Sequence, residues 1–458
     1  MQHFRRSVDL PVGVEQAFAY HQRPGALIRL MPAWENATIV ESDGGIDVGN
    51  RVVMKLKVFG VPMHWVARHT RLEPPHLFED VQDSGPFSTW RHQHLFAPTA
   101  DASTLASTLT DDIEYDVPLG KIGRTLGGGF VRRQLDGMFK FRHAVTVGDL
   151  GAIADASLPP MVVGVSGAGG LVGSQLSAFL SVAGHEVKRL VRGKAKKADQ
   201  IFPWGDAEDT RPLESVDAVI HLAGESIAAS RWSPEVKSRI RTSRVEKTRE
   251  LCERLAGLRS KPQVLLCASA TGIYGDRGEQ SLDERSDLGE GFLADVARQW
   301  EAACQPAIDA GIRVVHLRFG IILSPRGGAL QKLLLPTKMG VSGPLGSGRQ
   351  WWAWMAIDDV VRGIYHCLAT PDLSGPVNFV SPEPSRCSDF AKTLGRVLKR
   401  PAFVPAPAFA LRLGLGEMAD SLLLASTNVV PNRLRESGFR YQFPELEGAL
   451  RHLLGRFQ

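Results

Sequence analysis

Two patterns of apolar and polar positions divide the chain, and they change near residue 150. Up to that point, short runs in which apolar and polar residues alternate predict β-strands, followed by a helix over 129–147. The predicted strands cover 4–10, 37–41, 51–58, 63–72, 77–82, 89–98 and 103–115, with a short helix over 14–20. A helix gripped by a curved antiparallel sheet is an α+β fold that leaves a cavity between the two.

The second pattern begins at Met161 and alternates apolar strands with helical stretches. Such alternation demands a doubly wound parallel sheet with helices on both faces, which is an α/β fold. After the first strand, the predicted strands cover 184–192, 217–224, 263–275 and 313–320, and two predicted helices cover 234–258 and 292–310. A chain of 458 residues exceeds what one core usually serves, so more than one domain is expected.

A glycine turn follows the first strand of this second part. Gly167 permits the tight turn, Gly170 lets a pyrophosphate approach the backbone, and Gly173 lets the next helix pack against the strand. Leu171 and Val172 open that helix, whose free amide groups would hold the anion. Because an apolar strand precedes the turn and an amphipathic helix follows it, we predict a Rossmann dinucleotide site here.

The end of the second strand predicts which dinucleotide binds. An NAD site usually places Asp or Glu about 20 residues past the glycines, to accept hydrogen bonds from the ribose 2′-hydroxyl. This chain has Arg192 there, followed by Lys194, Lys196 and Lys197. These basic residues would bind the ribose 2′-phosphate that NADP has and NAD lacks, so we predict NADP. A solvated basic turn is the alternative, and only Arg192 lies close enough to the strand to weigh against it.

Small or polar residues mark the carboxyl ends of the later strands, where open α/β sheets bind ligands. The candidate cofactor contacts are Leu222, Ala223, Gly224 and Arg318. The candidates for chemistry are Ser269 and Tyr274 as catalytic groups, with Thr271 as a substrate contact. A segment further on, 340–359, adds Arg349 and Trp351 as candidate substrate contacts beside Trp352 and Trp354. Aromatic walls with one Arg suit a planar or anionic ligand, although a packed seam would also use Trp.

Composition limits the binding partners and the cellular compartment that we expect. With 54 basic and 49 acidic residues the net charge is +5, too small a bias to favour nucleic acid. The five cysteines, Cys252, Cys267, Cys304, Cys367 and Cys387, show no paired spacing and resemble reduced core thiols. No signal core or run of about 18 apolar residues occurs, so we expect a soluble cytoplasmic protein without a membrane span.

In the first part, alternate residues of one predicted strand share a face: Trp90, His92, His94 and Phe96. Either this face lines the cavity, or it simply packs with the histidines at the rim of the sheet. No carboxylate or cysteine has ligand-like placement nearby in the sequence, so we predict no metal site.

The first 150 residues resemble the START-like, helix-grip (SRPBCC, polyketide-cyclase-like) superfamily, on the segments 84–96, 111–120 and 138–143. The resemblance implies a domain over 1–150 that binds an apolar or amphipathic small molecule. The segment 151–160, small in composition and ended by two prolines, is then the linker.

From Met161 on, the chain resembles the extended branch of the short-chain dehydrogenase/reductase superfamily. More narrowly, 269–275, 300–303, 346–354 and Asp358-Asp359 resemble the "epimerase family", often labelled cell-division inhibitors (SulA-like). The tail segments 386–395 and 439–446 resemble the helical module that ends these proteins. The resemblance implies an NADP-binding domain over 161–380, a C-terminal module over 381–458, and a small-molecule substrate.

The superfamily's usual Tyr-x-x-x-Lys pair, in which Lys lowers the pKa of the catalytic Tyr, is absent. Phe292 and Val296 occupy its expected positions, and none of the five tyrosines has Lys at the fourth following position. Two alternatives remain open. Tyr274 acts beside Ser269, with the cofactor charge or Arg318 supplying the electrostatic help, or the protein binds NADP without turnover as a regulator. Asp295 is a third acid/base candidate, although a residue in a first helical turn is more often a dipole partner.

Overall fold

The computed structural model describes residues 1–35, 37–58, 61–99, 106–118 and 120–457. The chain forms two compact units. Unit 1 comprises Met1–Leu158, Ala178–Gly184 and Leu454–Gln458, and unit 2 comprises Pro159–Ser177 and His185–Leu453. Among the described residues, no helix combines the length and the apolar composition that crossing a membrane requires.

Unit 1 is a seven-stranded antiparallel sheet gripping a long helix, as the alternating pattern predicts. The strands follow the order β1-β7-β6-β5-β4-β3-β2 in the sheet. They are β1 (Gln2–Leu10), β2 (Thr38–Ser42), β3 (Arg51–Val58), β4 (Val61–Glu73), β5 (Leu77–Ser84), β6 (Thr89–Pro98) and β7 (Ser107–Asp116). The helices are α1 (Val14–Gln22), α2 (Ala26–Leu30) and α3 (Gly120–Ala156). The predicted α+β class is confirmed.

Helix α3 supplies the apolar stripe that covers the inner face of this sheet. Its Phe139 is fully buried, with its ring 5.4 Å from the ring of Phe4 on β1. The helix is longer than the predicted 129–147 and continues into the segment predicted as a linker. Buried Asp149 explains part of this extension, because its carboxylate forms a two-pronged ion pair with buried Arg29 at 2.8 Å.

Unit 2 contains the predicted parallel sheet, with strand order β10-β9-β8-β11-β12-β13-β17. These strands are β8 (Val162–Ser166), β9 (Glu186–Leu190), β10 (Gln200–Ile201), β11 (Ala218–His221), β12 (Val264–Ala270), β13 (Arg313–Phe319) and β17 (Gly375–Phe379). The central strands are buried on both faces, which explains their continuous apolar runs. The chain leaves β8 first toward β9 and later returns to β11 on its other side, so a crevice opens at the carboxyl ends of β8 and β11.

Helices and two small sheets complete unit 2. The helices are α4 (Leu171–Ala183), which continues into unit 1, α5 (Ala207–Thr210), α6 (Pro234–Ala256), α7 (Phe292–Ala302), α8 (Gln305–Asp309), α9 (Gly328–Lys338), α10 (Ile357–Ala369), α11 (Cys387–Leu398), α12 (Ala408–Leu415), α13 (Glu417–Ala419), α14 (Asn432–Glu436) and α15 (Leu446–Leu453). The small sheets pair β14 (Ile321–Leu323) with β16 (Trp354–Ala356) and β15 (Trp351–Trp352) with β18 (Ser385–Arg386). The helix predicted over 292–310 is two helices, because Pro306 cannot donate the hydrogen bond that would continue α7.

Candidate functional site

The glycine turn after β8 tolerates no larger residue at two of its positions. Gly167 has φ +67°, and a Cβ there would lie 2.9 Å from the carbonyl group of Leu222. A Cβ on Gly173 would lie 2.2 Å from the carbonyl oxygen of Gly167. At Gly170 the same oxygen would be 3.1 Å away. The turn therefore packs tightly against the backbone at the end of β11 and against the start of α4, which begins at Leu171.

Replacing Gly173 with alanine is expected to weaken NADPH binding at least tenfold, because the Cβ forces α4 away from the turn. The free energy of unfolding should also fall, by about 1–3 kcal/mol, as for other overpacked sites. Calorimetric titration and urea unfolding measure the two effects. Gly169→Ala is the matched control for stability, since a Cβ there meets nothing within 4 Å; equal stability loss in both variants would contradict this account.

A buried polar relay, not found from the sequence, holds the loop after β11. The Ser166 hydroxyl accepts hydrogen bonds from the amides of Leu222 and Ala223, at 3.0 and 3.2 Å. It lies 2.7 Å from Nδ1 of His221, whose Nε2 lies 3.0 Å from the hydroxyl of Thr248. Burial lowers the pKa of His221 to about 4, so the imidazole is neutral and accepts from Ser166 while donating to Thr248. The predicted cofactor contacts Leu222 and Ala223 are thereby fixed next to the turn.

Two arginines lie near the predicted cofactor contacts. Arg192 is exposed two residues beyond β9, and within the described chain it has no hydrogen bond or ion pair. Arg244 on α6 is one of the residues that the sequence did not indicate. Its guanidinium stacks over the ring of Trp300 at 5.0 Å, and a Cβ on Gly224 would lie 3.3 Å from it. Helical spacing alone could not show that Arg244 faces the loop of the predicted cofactor contacts.

The predicted catalytic residues lie together in one buried network. The Tyr274 hydroxyl donates to Oδ1 of Asn378 and accepts from the Arg318 guanidinium, both at 2.8 Å. Arg318 donates twice to Glu301 at 2.8 Å, and the Ser269 hydroxyl donates to the same carboxylate at 2.7 Å. Ser269 and Tyr274 are thus linked through an ion pair that the sequence did not reveal.

Charge in this network is fixed by burial and by Arg318. Burial raises the pKa of Tyr274 despite the opposing effect of Arg318, so the phenol is neutral near pH 7. For Glu301, burial raises the pKa, but hydrogen bonding and charge from Arg318 outweigh it and bring the pKa below the usual value. Tyr274 is fully buried and Ser269 is 2 % exposed. Nearby Thr271 is also buried, and its hydroxyl lies 3.4 Å from the carbonyl oxygen of Phe319.

The segment 340–359, which contains three tryptophans, lies partly in the core and partly at the surface. Trp352 and Trp354 are buried, which agrees with packing for those two. Trp351 is half-buried, its indole donates to Glu279 at 3.0 Å, and Arg386 stacks on its ring at 4.4 Å. Arg349 is exposed. Solvent therefore reaches Arg349 and part of Trp351, whose ring is covered on one side by Arg386.

In unit 1, the expectation that no carboxylate lies near His92 and His94 is wrong. Asp80 on β5 is the cross-strand partner of His92, and Asp111 on β7 is the partner of His94. The register of antiparallel strands brings these carboxylates to the histidines from 12 to 17 residues away in sequence. Sequence order gives no such register, which is why the group was missed.

Comparison with known proteins agrees with the class that this fold and turn define, a dinucleotide-binding α/β protein of the Rossmann type. Residues 163–379 match the NAD dependent epimerase/dehydratase family. Residues 10–139 match the polyketide cyclase / dehydrase and lipid transport family, and 406–453 match a domain of unknown function, DUF1731.

An epimerase family protein of Mycobacterium bovis is 38 % identical over 291 residues, covering 63 % of this chain and 96 % of its own. A crystal structure of a nucleoside-diphosphate sugar epimerase from Corynebacterium glutamicum is similar over 99 % of this chain and 90 % of its own, with 30 % identity and a TM-score of 0.79. A human epimerase family protein, solved with NADPH, is 31 % identical over 64 % of this chain and 99 % of its own, with a TM-score of 0.60. The chain belongs to the epimerase family.

Proposed function

We propose that unit 2 binds NADP(H) at the glycine turn and catalyses oxidoreduction or epimerisation of a small molecule. The observation that carries the proposal is the steric closure of the turn at Gly167 and Gly173, which packs the amino end of α4 directly against the turn, as a dinucleotide site requires. The similar human protein was solved with NADPH. When bound, the nicotinamide supplies hydride-transfer chemistry.

The chain's own residues would hold this cofactor in a defined way. The turn 167–173 and the amino end of α4 face the pyrophosphate, and Leu222 to Gly224 form the neighbouring wall. Arg192 supplies the charge for a 2′-phosphate, which a carboxylate at this place would repel. Arg244, close to Gly224, is a second cation for the anionic cofactor.

For the chemistry, we propose Tyr274 and Ser269 as the catalytic hydroxyls, with Thr271, Arg349 and Trp351 contacting the substrate. The support is the cation 2.8 Å from the phenol oxygen, Arg318, which stabilises a phenolate as the missing Lys does elsewhere. In this role Arg318 acts through Tyr274, because its N–H groups form hydrogen bonds with Tyr274 and Glu301.

A second candidate rests on the full burial of Tyr274. Its hydroxyl is occupied on both sides by Asn378 and Arg318, which is the state of a structural tyrosine. In that case the protein is an NADP-responsive regulator without turnover, and the link to cell division that the sequence resemblance implies would belong to this alternative.

Binding of NADPH and NADH to the whole chain and to Arg192→Ala tests the cofactor proposal by calorimetry. We expect NADPH to bind more tightly than NADH, and the variant to lose about tenfold, or about 1.4 kcal/mol, for NADPH alone. Lys194→Ala is the control, because Lys194 is exposed in the same basic segment but lies further from β9. Failure of the wild type to bind either nucleotide would overturn the proposal.

A further inference from the structure

Three potential metal ligands converge on the inner face of the sheet in unit 1. Asp80 on β5 pairs directly with His92 on β6, and His94 lies two residues along β6 on the same face. One ligand atom from each of the three side chains lies within 4.8 Å of the other two. Two imidazoles and one carboxylate are a donor set that zinc and similar divalent transition metals prefer.

The distances between these ligand atoms fit a shared ion better than direct hydrogen bonds. Oδ2 of Asp80 lies 3.4 Å from Nδ1 of His92 and 3.7 Å from Nε2 of His94. An N–H···O hydrogen bond spans about 2.7–3.2 Å. Two ligands about 2.1 Å from a tetrahedral metal lie about 3.4 Å apart. The two distances from Asp80 are therefore close to the edge length of a tetrahedral coordination site.

A second carboxylate, Asp111, lies close to one ring nitrogen of each imidazole and forms a hydrogen bond with His92. Its Oδ1 accepts from Nε2 of His92 at 2.9 Å and lies 2.8 Å from Nδ1 of His94. Its Oδ2 lies 2.6 Å from Nε2 of His143 on α3. The hydrogen bond to Asp111 orients His92, whose Nδ1 is then the nitrogen nearer to Asp80. Metal-binding histidines are commonly oriented by such a carboxylate on the far nitrogen.

The charge in this cluster also favours a cation. Asp80 and Asp111 are two carboxylates in a largely buried place, and the charge of Arg142 acts on both and also on Glu35. These carboxylates outnumber Arg142, so a protonated imidazole or a bound cation must balance the remaining negative charge. The side chains of Asp80 and His94 remain 15 % and 13 % exposed, so a small ion has access to them.

We propose that Asp80, His92 and His94 form a binding site for a divalent transition-metal ion of the zinc type, with Asp111 as its positioning residue. Three protein ligands leave a fourth position open in a tetrahedral site. That position would take an oxygen or nitrogen donor of a small molecule held in the helix grip, such as a carboxylate or carbonyl. The proposal concerns unit 1 and does not depend on nucleotide binding in unit 2.

Titration of the chelator-treated full chain with Co²⁺ tests the proposal, because cobalt in a zinc site has visible absorption that reports its geometry. We expect saturation at one equivalent, a four-coordinate spectrum, and displacement by Zn²⁺. The wild-type titration alone can decide against the site. Absence of saturable Co²⁺ binding would overturn the proposal and would indicate that a proton on an imidazole balances the charge of the carboxylates.

Variants then assign the ion to these residues. His94→Ala and the size-preserving Asp80→Asn are expected to weaken Co²⁺ binding at least 100-fold, and Asp111→Asn about 10- to 100-fold. His64→Ala is the matched control, because His64 is an exposed histidine of the same sheet. Circular dichroism and urea unfolding show that each variant is folded. Unchanged Co²⁺ affinity in folded Asp80→Asn and His94→Ala would place the ion elsewhere and overturn the proposal.

Discussion

Replacing Glu301 with alanine is expected to lower the free energy of unfolding by about 3–5 kcal/mol, the usual effect of removing one partner of a buried ion pair. The substitution leaves the Arg318 guanidinium, 5 % exposed, without its two-pronged carboxylate, and it also removes the acceptor of Ser269. Urea unfolding followed by circular dichroism measures the loss.

The matched control is the exposed ion pair on the same helix. Asp295 lies 3.1 Å from Arg298, and both side chains are about half exposed, at 49 % and 47 %. Asp295→Ala should cost at most about 1 kcal/mol, because solvent screens such pairs. If Glu301→Ala lost no more than Asp295→Ala, the buried network would not contribute to stability in the way that its geometry implies.

Replacing Tyr274 with phenylalanine is expected to reduce NADPH oxidation in the presence of carbonyl compounds by about 100- to 10,000-fold, the usual contribution of a general acid or base. The variant leaves Arg318 and Asn378 without their shared partner, so some loss of stability accompanies it. Turnover is therefore expressed per NADPH-binding site, measured by calorimetry on the same sample.

Tyr441→Phe separates the two effects. The hydroxyl of Tyr441 donates to the carbonyl oxygen of Val380 at 3.0 Å, so its removal also breaks an internal hydrogen bond in unit 2. This variant should lose stability but retain turnover. Equal turnover in Tyr274→Phe and wild type would contradict the catalytic role and favour the regulator.

Local patterns were sufficient for the architecture. The two-residue alternation before residue 150 and the apolar runs after it predict the two sheets, and the spacing of Gly167, Gly170 and Gly173 predicts the turn. These features depend on neighbours within a few residues. The end of α3 was less predictable, because the buried partner of Asp149 is Arg29, 120 residues earlier.

The side-chain networks could not be predicted for the same reason. Glu301 is 32 residues from Ser269 in sequence, and Asn378 is 104 residues from Tyr274. Only the packing of α7 and β17 against neighbouring strands brings these groups together. The cluster around Asp80 depends on strand register, which sequence order does not fix.

The attachment of the loop after β11 to Ser166 has a consequence for recognition. Association is weakened when a loop must become ordered on binding, since that ordering consumes part of the interaction free energy. In this protein the amides of Leu222 and Ala223 are already held by the strand that carries the glycine turn. This wall of the crevice is therefore preorganised, and the proposed binding of a dinucleotide would not have to order it.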